Sequence, residues 1–210
     1  SGRARASDLK ITGSIKKSDL NLNGKLLVDN AGFEYRDGTI DVRGLGCALD
    51  ISQALQGDFI HGAAGKCSAE SVGSGTAGEM KDISTGVRAA ARESFGSAEL
   101  ELENLNAKYL GGGVSGSVDL NVSGGKSGLS GRIAGQGLDL SKIPEGLIPL
   151  DIGGSAESLG ADFKGSSGEY GADVSFVVNG LEINLGEGRN FKLSRAATGA
   201  PVRVEYVSGA

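Results

Sequence analysis

Residues 98–126 read AELELENLNAKYLGGGVSGSVDLNVSGGK, with apolar and polar side chains alternating on both sides of a glycine cluster. Strict alternation is typical of a β-strand that has one buried and one solvated face. Two such strands on either side of Gly111–Gly113 predict an antiparallel hairpin. Gly124-Gly125 predicts the next tight turn, because two-residue hairpin loops need adjacent residues with positive φ.

The same alternation recurs along the whole chain, for example in LKI at 9–11, LDI at 49–51 and VRVEY at 202–206. Turn signals separate the blocks at intervals of roughly 8–12 residues. The sequence therefore predicts an all-β, mainly antiparallel meander with one or two short helices, in a single domain over residues 1–210. The predicted turns include Asn23-Gly24, Asp37-Gly38, Gly153-Gly154 and Asn179-Gly180.

Glycine supplies 37 of the 210 residues, well above its usual share of roughly 7%. Turns account for many of these glycines. Others fall inside predicted strands, as at Gly44, Gly131 and Gly135, where glycine weakens pairing but permits bulges and bending. We therefore expect a long sheet that curls.

Two segments depart from the alternation. Met80, Ile83 and Val87 recur at helical spacing, which predicts a short amphipathic helix or a flexible loop within residues 73–94. Ser141, shortly before Pro144, predicts a capped helical turn. No shift in composition marks a domain boundary, and the chain opens in the middle of the strand pattern, so we expect it to be a fragment of a longer polypeptide.

The charge and the aromatic content argue against nucleic-acid binding. The chain carries 21 basic and 26 acidic residues, a net charge of −5 and no tryptophan. Binding to nucleic acid needs clustered Lys and Arg for the phosphates, and single strands also need aromatic side chains for stacking. There is also no apolar run of about 20 residues that predicts a membrane-spanning helix.

No catalytic or metal-binding pattern stands out. His61 is the single histidine, and neither a G-x-S-x-G nor a Cys-x-x-Cys motif is present. Residues 73–78 match G-x-G-x-x-G, but the preceding residues 66–72 are too polar for the buried strand that a dinucleotide site requires. We therefore expect a protein that is not an enzyme and that has no cofactor and no metal.

Cys47 and Cys67 are the two cysteines. An even number of cysteines in a strand-rich protein fits a disulfide formed in an oxidising compartment. Two free buried thiols fit the same sequence, so the alternation alone leaves the pairing open.

The stretch 98–140, which contains the phrase "strand, Leu-Gly-Gly-Gly, strand", together with the similar residues 24–51, resembles the AsmA-like superfamily of bacterial envelope proteins (the AsmA, TamB, YhdP and YdbH types). The N protein of type II secretion systems shares this style and is a close competitor. The stretches with the resemblance cover about a third of the chain, and the amino-terminal membrane helix of that family is absent from this sequence.

The resemblance implies a curled antiparallel sheet whose apolar face binds and conducts phospholipid or another lipid between membranes. It also implies a periplasmic protein that is anchored to the inner membrane in its full-length form. A packed sandwich remains the alternative to the groove. Side chains expected to line the groove are Leu20, Leu22, Val118, Leu120, Val122, Val174 and Phe176.

A second hypothesis is a structural or assembly protein of a secretion system, or an adhesin-like module. Such a protein would bind other envelope proteins, or further copies of itself, through the free edges of the sheet.

Overall fold

The computed structural model describes residues 2–14, 19–35, 40–56, 59–75, 77–92, 96–145, 151–167, 169–184 and 189–207. Nearly all of them are in β-strands, as the alternation predicts. The strands are β1 (Arg3–Ser14), β2 (Asp19–Tyr35), β3 (Ile40–Gln56), β4 (Phe59–Ser74), β5 (Gly78–Arg92), β6 (Ser97–Tyr109), β7 (Gly112–Ser123), β8 (Lys126–Asp139), β9 (Asp151–Ser166), β10 (Glu169–Asn184), β11 (Asn190–Ala197) and β12 (Val202–Val207).

All twelve strands belong to one antiparallel sheet, in which each strand from β1 to β11 pairs with the next along the chain. β11 and β12 both pair with β10, along different halves of it, and together they form the last edge. The sheet is open and curled, which is expected because twisted open sheets of more than about 10 strands rarely stay flat. No described strand forms a second sheet, so the prediction of a meander is confirmed in its groove form and not as a sandwich.

The strands are longer than the sequence blocks suggested, at 15–17 residues in β2 to β5. The predicted turn at Gly124-Gly125 is confirmed, with φ of 57° and 77°. The turns predicted at Asn23-Gly24, Gly153-Gly154 and Asn179-Gly180 are wrong, because these pairs lie inside β2, β9 and β10. Asp37-Gly38 lies outside the described residues.

Positive φ angles and bulges occur inside several strands. Asn30, Gly44, Asp82, Asn104 and Gly180 have φ between 48° and 62° inside strands. Pairing slips by one residue beside Asn30, Asp82 and Asn104. A bulge adds one residue to a strand and increases its twist. The bulges therefore bend the sheet without ending its strands.

The helix predicted within residues 73–94 is wrong, because Gly78–Arg92 forms strand β5. Met80 pairs with Val72, and Ile83 pairs with Ala69. Asp82, between them, has a φ of 51°. The extra residue at this bulge brings Met80 and Ile83 to the same face of the strand despite a spacing of three, which is the spacing that imitates a helix.

Two glycines allow neighbouring strands to approach closely. A Cβ on Gly65 of β4 would lie 2.9 Å from the Cα of Leu49, its partner in β3. A Cβ on Gly131 of β8 would lie 2.6 Å from the ring atom Cζ of Phe163 in β9. Any larger residue at these positions would push the strands or the ring away.

A 3-10 turn, Leu140–Lys142, follows β8. The predicted turn is present, but Ser141 is not its cap. Asp139 occupies that position, and its Oδ1 accepts hydrogen bonds from the backbone N of Ser141 at 3.1 Å and from the Ser141 hydroxyl at 2.6 Å. A carboxylate accepts both bonds at once, and this makes Asp139 the stronger cap.

Cys47 and Cys67 face each other across β3 and β4 and form a disulfide, with their Cα atoms 4.1 Å apart. Such a short separation is typical of non-hydrogen-bonded pairs in antiparallel sheets. The bond joins two neighbouring strands near the middle of their length.

Within the described ranges, no helix is long and apolar enough to cross a membrane.

We expect the disulfide to stabilise the fold. Replacing both Cys47 and Cys67 by Ser should lower the free energy of unfolding by about 3 kcal/mol, because the bond closes a loop with a sequence separation of 20 residues. Urea unfolding with and without reductant measures this. Reductant should destabilise the native chain and leave the double variant unchanged; an equal effect on both would contradict a structural role for the bond.

The bulge at Asn30 gives a second prediction. Its φ of 48° lies in the left-handed region, which costs a β-branched residue about 1–2 kcal/mol more than glycine. Asn30→Val should therefore be less stable than Asn30→Gly by that amount in urea unfolding. Asn23→Val, in the same strand at a position without positive φ, is the matched control and should change stability little.

Candidate functional site

The pairing register assigns the side chains to two faces, because directly paired residues point to the same side of a sheet. One row across five strands contains Leu49, Gly65, Val87, Leu102 and Val118. We call the face of this row the inner face. The opposite, outer face has a corresponding row of Lys25, Asp50, Ala64, Arg88 and Glu101.

Charge is confined to the outer face. At the paired positions of the described strands, the inner face contains no Asp, Glu, Lys or Arg. Outer-face charges pair across strands, as where Arg88 Nη1 lies 2.7 Å from Glu101 Oε2 and Arg203 Nη1 lies 3.2 Å from Asp173 Oδ2. Exposed pairs of this kind stabilise the fold by at most about 1 kcal/mol each. Their main consequence is that the charged side chains are separated from the apolar ones.

Three neighbouring alanines in β5 show which way the sheet curls. Ala89 and Ala91 lie on the inner face and are half-buried, whereas Ala90, between them on the outer face, is exposed. Side chains of the same size are less exposed on the inner face than on the outer face, which indicates that the inner face is the inside of the curl.

No second sheet of described residues covers the concave face. The chain exposes 13629 Å², whereas a compact globular protein of 21.2 kDa exposes about 9,000 Å². Large inner-face side chains such as Phe33, Leu120 and Phe191 are 53%, 38% and 47% exposed. Within the described part of the chain, no large side chain is fully buried. The result is an open apolar groove.

The groove has a floor of small residues and larger walls. On β4 and β5 the inner face carries Ala63, Gly65, Ala89 and Ala91. The adjoining strands present larger apolar side chains to the same side, on β3 Leu49 and Ile51 and on β6 Leu100 and Leu102. Small side chains therefore lie between larger apolar ones on the same face of the sheet.

One corner of the inner face is filled instead of open. Leu138, Ala156 and Val178, on β8, β9 and β10, are 5%, 1% and 6% exposed and form a core cluster. The partly buried side chains packed against this cluster are Leu110, Val114, Leu140, Leu159, Phe176 and Leu181. Leu140 belongs to the 3-10 turn, so this turn covers the corner.

Polar contacts hold the covered corner in place. Asp139 accepts from Ser141, and its Oδ2 lies 3.1 Å from Lys142 Nζ. These two partners lower the pKa of the Asp139 carboxyl below its ordinary value, with the hydrogen bond from Ser141 contributing most. Nearby, the Tyr109 hydroxyl donates to the carbonyl oxygen of Ala77 at 2.6 Å, and partial burial raises the pKa of Tyr109.

All seven side chains predicted to line a groove belong to the inner face by register. They form three separate groups and not one contact cluster: Leu20 and Leu22 on β2, Val118, Leu120 and Val122 on β7, and Val174 and Phe176 on β10. Phe176 packs against the filled corner, whereas Leu120 is 38% exposed in the open part.

Two features of the groove went unrecognised in the sequence. The floor residues Ala63 and Gly65 stand in a glycine- and alanine-rich strand with little hydrophobic contrast. The core cluster joins three strands by long-range pairing. Small residues recur on β4 and β5, the two strands that lie between Leu49 of β3 and Leu102 of β6 in the sheet. This pattern indicates the floor, but it can be recognised only once the register is known.

The inner face offers little for catalysis. His61 lies on this face, paired with Gln53 and Ala91. Across the residues that the structure describes, no group of three or more His, Cys, Asp or Glu side chains could hold a metal ion. What the arrangement can do is exclude water from an elongated apolar ligand.

Comparison of the chain with protein-family models, with curated proteins and with solved structures found no match.

The Asp139 cap should respond to acid in a defined direction. Because its pKa is lowered, the cap contributes fully above the ordinary carboxyl value of 3.8 and is lost as the pH falls through the lower, folded value. The backbone amide resonance of Ser141, followed by NMR from about pH 5 to about pH 2, should shift with that midpoint. In Asp139→Asn the same resonance should not titrate, and a midpoint at or above 3.8 in the native chain would contradict the cap.

Proposed function

We propose that this protein is a non-enzymatic, AsmA-like module of the bacterial cell envelope that holds or conducts lipid, with phospholipid as the expected class, along its inner face. The observation that carries the proposal is the continuous concave face, free of charged side chains at its paired positions and uncovered over most of its width. Exposing so much clustered apolar surface to water is unfavourable. An acyl chain is a natural occupant because each buried CH₂ contributes about 0.8 kcal/mol.

The dimensions of the groove suit an acyl chain. β4 has 16 residues and at ~3.3 Å per residue measures about 50 Å. One leaflet of a bilayer has a hydrocarbon thickness of about 15 Å, so the strands are longer than one acyl chain. The small floor residues Ala63, Gly65 and Ala89 leave room for a chain lying parallel to the strands.

The charged outer face supports the proposal of a protein that works in water beside membranes. Its charged side chains keep the convex side solvated, while the inner face shields the hydrocarbon. The disulfide between Cys47 and Cys67 supports an oxidising compartment such as the periplasm. Anchoring to the inner membrane belongs to the proposal through the family resemblance alone.

The alternative function, assembly through sheet edges, concerns a different surface. The edges lie at β1 and at β11 and β12, whereas the lipid proposal concerns the face between them. Either function can therefore be removed by substitution without touching the other.

Ala89 and Ala90 provide a matched test of the groove. Ala89→Glu places a carboxylate on the groove floor, and Ala90→Glu places the same group one residue away on the outer face. Binding of a fluorescent phospholipid analogue should weaken about tenfold or more in Ala89→Glu, because the lipid or the carboxylate would have to be desolvated without a partner. Ala90→Glu should bind like the native chain.

Lipid that co-purifies provides an independent readout. Native mass spectrometry of the protein expressed in a bacterial periplasm should detect bound phospholipid, and Leu120→Glu should reduce its amount. Circular dichroism of each variant establishes that the sheet is intact. Equal binding by both alanine variants, or an intact native chain that holds no lipid and binds none, would refute the proposal.

A further inference from the structure

Among the residues that the structure describes, β1 pairs with β2 along one edge and with no strand along the other. It presents 12 residues whose outward backbone N–H and C=O groups can pair with an added strand. Nearly all of its residues are exposed.

The inner side of this edge is apolar. Ile11 pairs with Leu22 and so belongs to the inner face, yet it is 70% exposed. Leu9, next to the Asp8 bulge, is 57% exposed, and its Cδ2 would lie 2.5 Å from a Cβ on Gly24, so it faces the same side. The apolar face therefore continues to the rim, where a further strand with inward apolar residues would cover it.

The outer side of the same edge carries unpaired positive charge. Arg3, Arg5 and Lys10 alternate with the inner-face residues of β1 and are exposed. None of the three is in an ion pair with any residue that the structure describes, although Asp29 is the register partner of Arg3. The cations at the opposite edge differ, because Lys192, Arg195 and Arg203 each have a carboxylate partner.

A second copy of this chain is a poor match for the edge. Matching apolar face to apolar face would place Arg3, Arg5 and Lys10 beside the same cations of another β1, or beside Lys192 and Arg195 of β11. Like charges opposite each other destabilise strand pairs. The complementary strand carries Asp or Glu where this one carries Arg and Lys.

We propose that the free edge of β1 binds an extended segment of a partner protein in which acidic and apolar residues alternate. The segment adds a strand to the sheet, with its apolar side chains extending the inner face and its carboxylates beside Arg3, Arg5 and Lys10. Backbone hydrogen bonds supply most of the affinity, and the charges select the partner and its register. The proposal does not depend on lipid binding, since it concerns the edge alone.

Two peptides test the proposal on the full chain. One alternates Glu and Val and matches the 12 residues of β1; the other alternates Lys and Val. Fluorescence anisotropy should show binding of the Glu peptide that weakens as salt is added, and at least about tenfold weaker binding of the Lys peptide.

Variants then locate the site. The double variant Arg5→Glu and Lys10→Glu should weaken binding of the Glu peptide about tenfold and improve binding of the Lys peptide. The double variant Lys66→Glu and Lys164→Glu makes the same charge change on outer-face positions of the interior strands β4 and β9 and should bind like the native chain. Ile11→Lys, which directs a charge inward at the edge, should abolish binding of both peptides.

Circular dichroism and urea unfolding establish that each variant is folded. Equal binding of the two peptides, or equal loss in the β1 and the control variants, would overturn the proposal. An absence of peptide binding would also overturn the proposal. The edge cations would then serve only to prevent aggregation, or sedimentation would show that the chain associates with itself through its edges.

Discussion

The antiparallel hydrogen-bonded ladder is the constraint on which this structure depends. It joins strands of up to 17 residues from β1 to β11, and because side chains alternate along each strand, the pairing register sorts the paired residues to one of two faces. A slip of one residue would carry Leu102 to the solvated side and Glu101 to the groove. The pairing register therefore determines which face of the sheet is polar and which is apolar.

The curl follows from local breaks in that ladder. Bulges at Asn30, Asp82 and Asn104 insert single residues with positive φ and increase the twist, while the apolar residues on both sides of each bulge stay on the inner face. Gly65 and Gly131 let neighbouring strands come closer than a side chain would allow. The sheet therefore bends around its apolar side without losing the separation of its faces.

Stability and the proposed lipid binding depend on the same apolar surface. In the filled corner, Leu138, Ala156 and Val178 are buried and support the fold as a small core. Over most of the sheet the corresponding side chains are exposed, so the core is small for a chain of 210 residues. The disulfide and the cross-strand ion pairs add to the stability that this small core provides. An apolar ligand in the groove would complete the burial that the protein chain leaves unfinished, and a strand added at β1 would extend it.

The sequence by itself determined the all-β antiparallel class, the curling and the face on which Leu20, Val118 and Phe176 lie, because strand alternation and glycine content are local signals. It misplaced the turns at Asn23-Gly24 and Asn179-Gly180 and read β5 as a helix, because a bulge changes the spacing of apolar residues from two to three. The tertiary structure alone decided the groove over the sandwich, the pairing of Cys47 with Cys67 and the filled corner. Each of these depends on which distant strands become neighbours, and no local pattern in the sequence encodes that information.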